Sequence, residues 1–150
     1  MQAETEAAGV VPASPAQWET RRIAAGWPEY GVDVTEDHLP QELARNDRLL
    51  SFTKGCYLGQ EPIARLDALG HTNRELRRLT ITGIEPVAPG TNVLDPASGD
   101  VMGTITSAAV DAMGTGCVAL GYVKTRANRP GTLLNLAGDA APRQVTVGGP

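Results

Sequence analysis

The sequence predicts an α+β protein in which a short helical and loop-rich segment precedes a small antiparallel β-barrel. A helix start is predicted at Ser14-Pro15, because serine is a favoured N-cap and proline is favoured at the first helical position. Short strands separated by glycine-rich turns follow from Gly90 onward, a pattern typical of a small barrel. With 41% hydrophobic and 20% charged residues, the chain has the composition of a globular protein.

The helix that begins at Ser14-Pro15 is predicted to end at Gly26, with Pro28 beyond it, since these residues commonly terminate helices. Trp18 lies on this helix, and we interpret it as a core or docking residue without a chemical role. The connection from Trp27 to Arg48 is long and rich in turn residues. A connection of this length is usually functional or packed on a neighbouring element.

The first barrel strand is predicted from Arg74 to Gly83, where apolar residues alternate with threonines. It carries a local basic patch of three arginines, which is either a solvated strand face or an anion-binding site; its members are Arg74, Arg77 and Arg78. Cys117 alternates within a later strand and is predicted to be a core residue. The later strands are predicted at Asn92 to Leu94, Val101 to Val110, Gly116 to Lys124, Thr132 to Ala137 and Gln144 to Val147.

Length and composition limit the classes of function. A chain of 150 residues fits one ordinary domain or two small ones, and its net charge of −4 indicates no general nucleic-acid footprint. No apolar run approaches the roughly 18 residues of a membrane span, and the N-terminus lacks the basic region of a signal peptide. The two cysteines form no disulfide framework, and the two isolated histidines form no zinc-ligand pattern. The cytoplasm is therefore the predicted compartment.

Cys56 is the candidate reactive residue. Leu49 to Phe52 is short and apolar enough to predict a buried strand, and Pro62 to Gly70 predicts a short helix, so Cys56 lies in a strand-to-helix turn. Unpaired backbone N–H groups at such a turn, together with the charge of Lys54, favour a thiolate. The alternative is that Cys56 is a small buried hydrophobic residue, as many lone cysteines are.

The segment around Cys56, Lys-Gly-Cys-Tyr-Leu-Gly-Gln-Glu at residues 54–61, resembles the signature of the YgfZ-type folate-binding proteins. These proteins are relatives of the aminomethyltransferase (T protein) of the glycine cleavage system. Further segments between residues 22 and 123 are similar to segments of the family and occur in the same order as in the family. They are residues 22–33 ending in Asp33, Leu39-Pro40-Gln41-Glu42, Ala64-Arg65 through Leu76, residues 103–108 and residues 119–123. The resemblance implies a Greek-key, six-stranded barrel beside an α+β portion.

The resemblance also implies a domain division. Residues 1–73 correspond to a remnant of the folate-binding α+β domain that carries the cysteine motif, and residues 74–150 correspond to the C-terminal barrel. Family members are about twice as long, and their N-terminal half supplies much of the folate cavity. The chain is therefore expected to be the C-terminal part of such a protein, either a truncated reading frame or a separately encoded half.

Site residues are carried over from the family position by position. In the family, the glutamate matched by Glu42 points at the folate pterin, where a carboxylate can accept two parallel N–H bonds. Cys56 is the expected catalytic residue, with a role in transient sulfur or iron ligation or in redox sensing. The expected cofactor-binding residues are Glu42, Lys54, Tyr57, Gln60, Glu61 and Arg65. Tetrahydrofolate is the expected cofactor, and no permanently bound metal is expected.

The function that the resemblance implies is a tetrahydrofolate-dependent accessory role in iron–sulfur cluster assembly or repair, with effects on iron–sulfur enzymes that modify tRNA. This is not a classical enzyme activity. The enzyme alternative is aminomethyltransferase-type transfer of a one-carbon group to tetrahydrofolate, and the third alternative is a fragment that depends on an N-terminal partner. Folate and iron–sulfur assembly or client proteins are the expected partners, without membrane binding or direct nucleic-acid binding. If the basic patch is an anion-binding site, its candidate ligands are the glutamate tail of folate and, against this expectation, RNA phosphate.

Overall fold

The computed structural model of the chain describes residues 11–51, 54–56, 59–61, 72–138 and 141–150. Within these ranges, short helices precede a closed barrel of six antiparallel strands. The fold class predicted from the sequence is confirmed. Among the described residues, no helix is both long and apolar enough to cross a membrane.

Helix α1, Pro15–Ala24, begins at the predicted cap. The Ser14 hydroxyl accepts a hydrogen bond from the Gln17 amide at 3.2 Å, and the Gln17 side-chain oxygen accepts one from the Ser14 amide at 2.9 Å. This reciprocal capping box satisfies two backbone donors at the helix start. The helix stops at Gly26, whose φ of 70° is readily adopted only by glycine. Trp18 is 61% exposed, so the interpretation as a core residue is wrong, and the docking alternative stays a prediction.

Up to residue 51, the connection after α1 contains a 3₁₀ helix at Pro40–Leu43 and the short helix α2 at Asn46–Leu49. The buried strand predicted from Leu49 to Phe52 is wrong in its described part, because Leu49 ends α2 and is 48% exposed. The Leu50 amide donates to the Asn46 carbonyl at 3.0 Å, which closes a helical turn at this point. Short apolar runs do not distinguish helix from strand. Phe52 and the helix predicted at Pro62 to Gly70 lie outside the described residues.

The barrel strands are β1 (Arg74–Thr82), β2 (Asn92–Leu94), β3 (Val101–Val110), β4 (Gly116–Lys124), β5 (Leu133–Leu136) and β6 (Gln144–Val147). Their order around the barrel is β1-β4-β3-β2-β5-β6, and pairing of β6 with β1 closes it. Four of the six predicted ranges match the observed bounds. The prediction for β1 is one residue too long, and that for β5 extends one residue too far at each end.

Among the described residues, two apolar clusters stabilise this architecture. The first fills the barrel with side chains such as Ile81, Ile105 and Val145, and it includes Cys117 as predicted. Burial raises the pKa of the Cys117 thiol, consistent with an unreactive core residue. The second cluster consists of Ile23, Leu76, Leu120 and Tyr122. It joins α1 to β1 and β4, so the helical segment packs directly on the barrel.

Candidate functional site

A buried ion pair links the loop after α1 to the barrel. Asp33 is 0% exposed, and its carboxylate accepts a hydrogen bond from Arg22 Nη1 at 2.6 Å. The same carboxylate accepts from the Ser107 hydroxyl at 2.7 Å, from the Glu29 amide at 3.0 Å and from the Thr106 hydroxyl. Because a buried charge must be paired and hydrogen-bonded, this set of donors explains how Asp33 remains ionised in the interior.

The same contacts set the pKa of Asp33. Burial alone would raise it, but the hydrogen bonds from Thr106, the Glu29 amide, Ser107 and Arg22 outweigh burial and hold it below the ordinary value of 3.8. Burial alone would lower the pKa of Arg22, but the hydrogen bonds that Arg22 donates to Glu19 and Asp33 outweigh burial and raise it. Both partners therefore remain charged at neutral pH.

Acid is expected to unfold the protein through Asp33. Since the folded-state pKa lies below the unfolded value of about 3.9, the stabilisation is complete above that value and is lost as pH falls through the folded pKa. We expect the free energy of unfolding to fall below about pH 4 for this reason. Turn hydrogen bonds also lower the pKa values of Asp95 and Asp111, so site-resolved NMR of the Asp33 carboxyl is the measurement required. Titration of Asp33 at 3.8 or higher would contradict the prediction.

Tyr122, on β4, connects this ion pair to the predicted cofactor residue Glu42. Its hydroxyl donates to the Asp33 backbone carbonyl at 3.0 Å. Its ring stacks on His38 with centroids 4.5 Å apart and planes 14° apart, and the Arg74 guanidinium carbon lies 5.0 Å from the same ring. Burial, and then the nearby charge of Glu42, raises the pKa of Tyr122 far above its ordinary value of 10. The hydroxyl therefore acts as a neutral donor.

The Glu42 carboxylate lies at the end of this chain of contacts. Glu42 belongs to the 3₁₀ helix and is buried, and its Oε1 accepts from Arg74 Nε at 3.0 Å. Its Oε2 accepts from Arg74 Nη2 and from the Leu39 amide, each at 3.4 Å. The side chain of Arg74 is 46% exposed and that of Glu42 only 11%. A mostly enclosed carboxylate is thus held by an arginine whose side chain is nearly half exposed.

The cysteine motif is only partly described. Cys56 is exposed, so the alternative of a buried hydrophobic residue does not apply to it. Lys54 is exposed, and its amide donates to the Ser51 hydroxyl at 3.3 Å. Gln60 is half-buried and Glu61 exposed, both with helical backbone. Tyr57 and Arg65 lie outside the described residues.

The three arginines of the basic patch on β1 donate hydrogen bonds to carboxylate and carbonyl oxygens of the chain itself. Arg74 contacts Glu42, and Arg77 contacts Glu75 and donates to the Asn128 carbonyl at 3.1 Å. Arg78 donates to the Ala24 carbonyl at 3.2 Å, where α1 ends. In the part of the chain that is described, no group of three His, Cys, Asp or Glu side chains is arranged to hold a metal ion.

Sequence reasoning identified Glu42 but missed the side chains that surround it. His38, Arg74 and Tyr122 had no assigned role beside it, and Arg22 and Asp33 were noted only as matching positions of a family segment. A signal was present in that segment, because an arginine followed eleven positions later by an aspartate pairs side chains of opposite charge. Nothing in the sequence showed that the two meet in the interior.

The chain was compared with known proteins. No family model matches the chain. It is 30% identical over 133 residues to an Arabidopsis thaliana protein that bears the provisional name of a chloroplastic transferase, covering 89% of this chain and 30% of that protein. It is 38% identical over 89 residues to the tRNA-modifying protein YgfZ of Vibrio vulnificus, covering 57% of this chain and 26% of that protein. The YgfZ of Colwellia psychrerythraea is 41% identical over 66 residues, 42% of this chain and 20% of that protein.

A solved structure shares the fold. The glycine cleavage system aminomethyltransferase T of Bartonella henselae superposes with a TM-score of 0.84 at 22% identity, covering 98% of this chain and 41% of that protein. The chain spans between a fifth and a third of the length of the three curated relatives above. Over part of its length the chain is thus similar to proteins named YgfZ, and it has the fold of part of aminomethyltransferase T.

Proposed function

We propose that the chain takes part in the assembly or repair of iron–sulfur clusters in the cytoplasm, as an accessory protein that depends on tetrahydrofolate. This activity would support iron–sulfur enzymes that modify tRNA. The observation that carries the proposal is the enclosed Glu42 carboxylate, whose partner Arg74 lies against the Tyr122 ring. The similarity to proteins named tRNA-modifying protein YgfZ supports the same proposal.

The side chains around Glu42 fit one edge of a folate. A pterin presents a flat edge with two N–H donors, and a fixed carboxylate is a suitable acceptor because charge assistance strengthens both bonds. Glu42 would hold that edge. The nearby Tyr122 ring is fixed by stacking on His38 and by its hydroxyl bond to the Asp33 carbonyl, and the Arg74 guanidinium lies against it. Tetrahydrofolate, when bound, supplies one-carbon carrier chemistry.

Cys56 is proposed as the reactive residue because its side chain is exposed and lies in the matched motif. A thiolate is the form of cysteine that binds metals and attacks sulfur. Transient ligation of iron or sulfur is thus the chemistry proposed for it. The roles of Lys54, Tyr57, Gln60, Glu61 and Arg65 in folate binding remain part of the same proposal, as does the division of the chain at residue 73.

A partner-dependent segment is the second candidate function. Three large aromatic side chains are exposed on α1 and the connection after it: Trp18, Trp27 and Tyr30. Exposed aromatic residues are enriched at protein interfaces, which favours a partner such as an N-terminal half of the same family. Co-purification with a co-expressed N-terminal half tests this candidate, and an isolated chain that binds tetrahydrofolate fully would contradict it.

Removal of the Glu42 carboxylate is expected to weaken tetrahydrofolate binding without unfolding the chain. A hydrogen bond to a charged group contributes about 1.5–3 kcal/mol, so Glu42→Ala should raise the Kd by about tenfold or more. Isothermal titration calorimetry of the purified chain is the measurement. Glu36→Ala, which removes an exposed glutamate from the same connection, should bind like the wild type. Equal Kd values for Glu42→Ala and the wild type would contradict the cofactor assignment.

Cys56→Ser tests the role of the thiol separately from folate binding, which the same calorimetric titration measures. This variant should bind tetrahydrofolate as the wild type does, yet fail to complement cells that lack their native YgfZ-type protein. Full complementation would remove Cys56 from the proposed function. Turnover of an aminomethylated carrier protein with tetrahydrofolate would instead favour one-carbon transfer.

A further inference from the structure

The contact between Glu42 and Arg74 differs from an ordinary surface ion pair. Two nitrogens of one guanidinium, Nε and Nη2, reach the two carboxylate oxygens at 3.0 and 3.4 Å. The guanidinium carbon also lies 5.0 Å from the Tyr122 ring centroid. An enclosed carboxylate therefore binds two N–H groups of a flat guanidinium that lies next to an aromatic ring. We call such a pair of parallel N–H donors an N–H fork, and here the fork belongs to the chain itself.

The two partners are held unequally. The Glu42 carboxylate also accepts a hydrogen bond from the amide of Leu39, the N-cap residue of its own 3₁₀ helix. This bond holds the carboxylate in place independently of Arg74. Arg74 is the first residue of β1, and nearly half of its side chain is exposed. Exposed arginines lose little when they leave an ion pair, whereas an enclosed carboxylate requires a replacement donor.

We propose that the Glu42 carboxylate is a receptor for a flat N–H fork and that Arg74 occupies it in the free protein, so that a ligand binds by exchange with Arg74. The ligand class is a guanidinium, an amidine or a 2-aminopyrimidinone edge, each of which presents two parallel N–H donors. The identification of that edge with a folate rests on the proposed function. The receptor itself rests on the contacts of Glu42, Arg74 and Tyr122.

Exchange makes Arg74 a residue that sets affinity and specificity. The apparent affinity of a ligand falls by the fraction of molecules in which its site is open, so an Arg74 that occupies Glu42 weakens every ligand. A ligand without the N–H fork cannot replace the hydrogen bonds that Arg74 donates to the carboxylate, so it does not displace Arg74. Removal of Arg74 is thus expected to tighten ligand binding, the opposite of what the loss of a merely supporting residue would cause.

Chemical rescue of Arg74→Ala by methylguanidinium tests the receptor without folate. The variant leaves Glu42 without its guanidinium and should have a lower Tm than the wild type. Millimolar methylguanidinium should raise the Tm of the variant by a few degrees with saturation, because a ligand that binds the folded state stabilises it. Neither the wild type nor Arg74→Ala/Glu42→Gln should gain this shift, and methylammonium at equal ionic strength should not produce it. Arg74→Gln provides a second background if Arg74→Ala does not fold.

The same variants titrated with tetrahydrofolate separate the two proposals. Tighter binding by Arg74→Ala than by the wild type supports exchange, and weaker binding overturns it. Saturable rescue by methylguanidinium without any tetrahydrofolate binding leaves the receptor standing and removes the folate assignment. Equal Tm shifts with methylguanidinium and methylammonium overturn the receptor, whether or not tetrahydrofolate binds elsewhere on the chain.

Discussion

Asp33→Asn is expected to destabilise the protein by about 3 kcal/mol, the lower end of the range for breaking a buried ion pair, because Arg22 loses its buried counter-charge but keeps its contact with Glu19. The guanidinium of Arg22 is almost as buried as the Asp33 carboxylate, and after the substitution the partly exposed carboxylates of Glu19 and Glu29, at 2.8 and 3.7 Å, are left to balance its charge. The amide also replaces an acceptor of four hydrogen bonds with a group that has one acceptor oxygen, so donors such as Ser107 lose their partner. Urea unfolding at pH 7 gives the free energy difference.

The matched control is Asp100→Asn, which removes an exposed aspartate 3.7 Å from Arg126. Exposed pairs of this kind contribute about 1 kcal/mol or less, so the control should unfold close to the wild type. Equal effects of the two substitutions would show that the Arg22–Asp33 pair does not join the helical segment to the barrel. A large effect only at Asp33 would confirm that it does.

Gly121→Ala is expected to destabilise the barrel by about 3 kcal/mol, the upper end of the range for overpacking a core. An added Cβ would lie 2.6 Å from the Thr104 carbonyl oxygen, 3.1 Å from the Ile105 Cα and 3.2 Å from a Leu79 methyl. Two of these atoms are backbone, so a side-chain rotation cannot relieve the clash. Gly121 pairs with Arg77 on β1 and with Ile105 on β3, and the shift therefore spreads to two neighbouring strands.

Gly149→Ala is the control for this substitution. There the added carbon would lie 3.4 Å from Arg78 Nη2, an ordinary contact with the end of a flexible side chain. A change within about 0.5 kcal/mol is expected, as for most surface substitutions. The measurement is urea unfolding followed by near-ultraviolet circular dichroism, which also reports on the neighbouring Tyr122. Comparable destabilisation by both alanines would contradict the packing described for Gly121.

The barrel was predictable from the sequence because its signals are local. Apolar residues such as Leu79 and Ile81 alternate with threonines along β1, and glycine-rich turns mark the ends of the later strands, so the predicted bounds err by at most one residue. The start of α1 has an equally local signal in Ser14 and Pro15. The strand predicted at Leu49 failed because four apolar or small residues fit either a strand or the end of a helix.

The candidate site was less predictable because its contacts are distant in sequence. The hydroxyl of Ser107 meets Asp33 across 74 positions, and Arg74 meets Glu42 across 32. Charged residues are mostly exposed, so no residue-by-residue interpretation selects Arg22 and Asp33 as buried. Glu42 was identified by family resemblance alone, and that resemblance carried no information about the arginine bound to it.

Closure of the barrel by β1 and β6 has a consequence for synthesis of the chain on the ribosome. The register pairs Leu79 with Val147, so β1 stays incomplete on one edge until translation has passed residue 147 and that segment has left the exit tunnel. Pairings so far apart in sequence form slowly, because a long loop must be ordered first. A nascent chain stalled before Val147 should therefore expose an unpaired strand, and it is this intermediate that chaperones would have to shield.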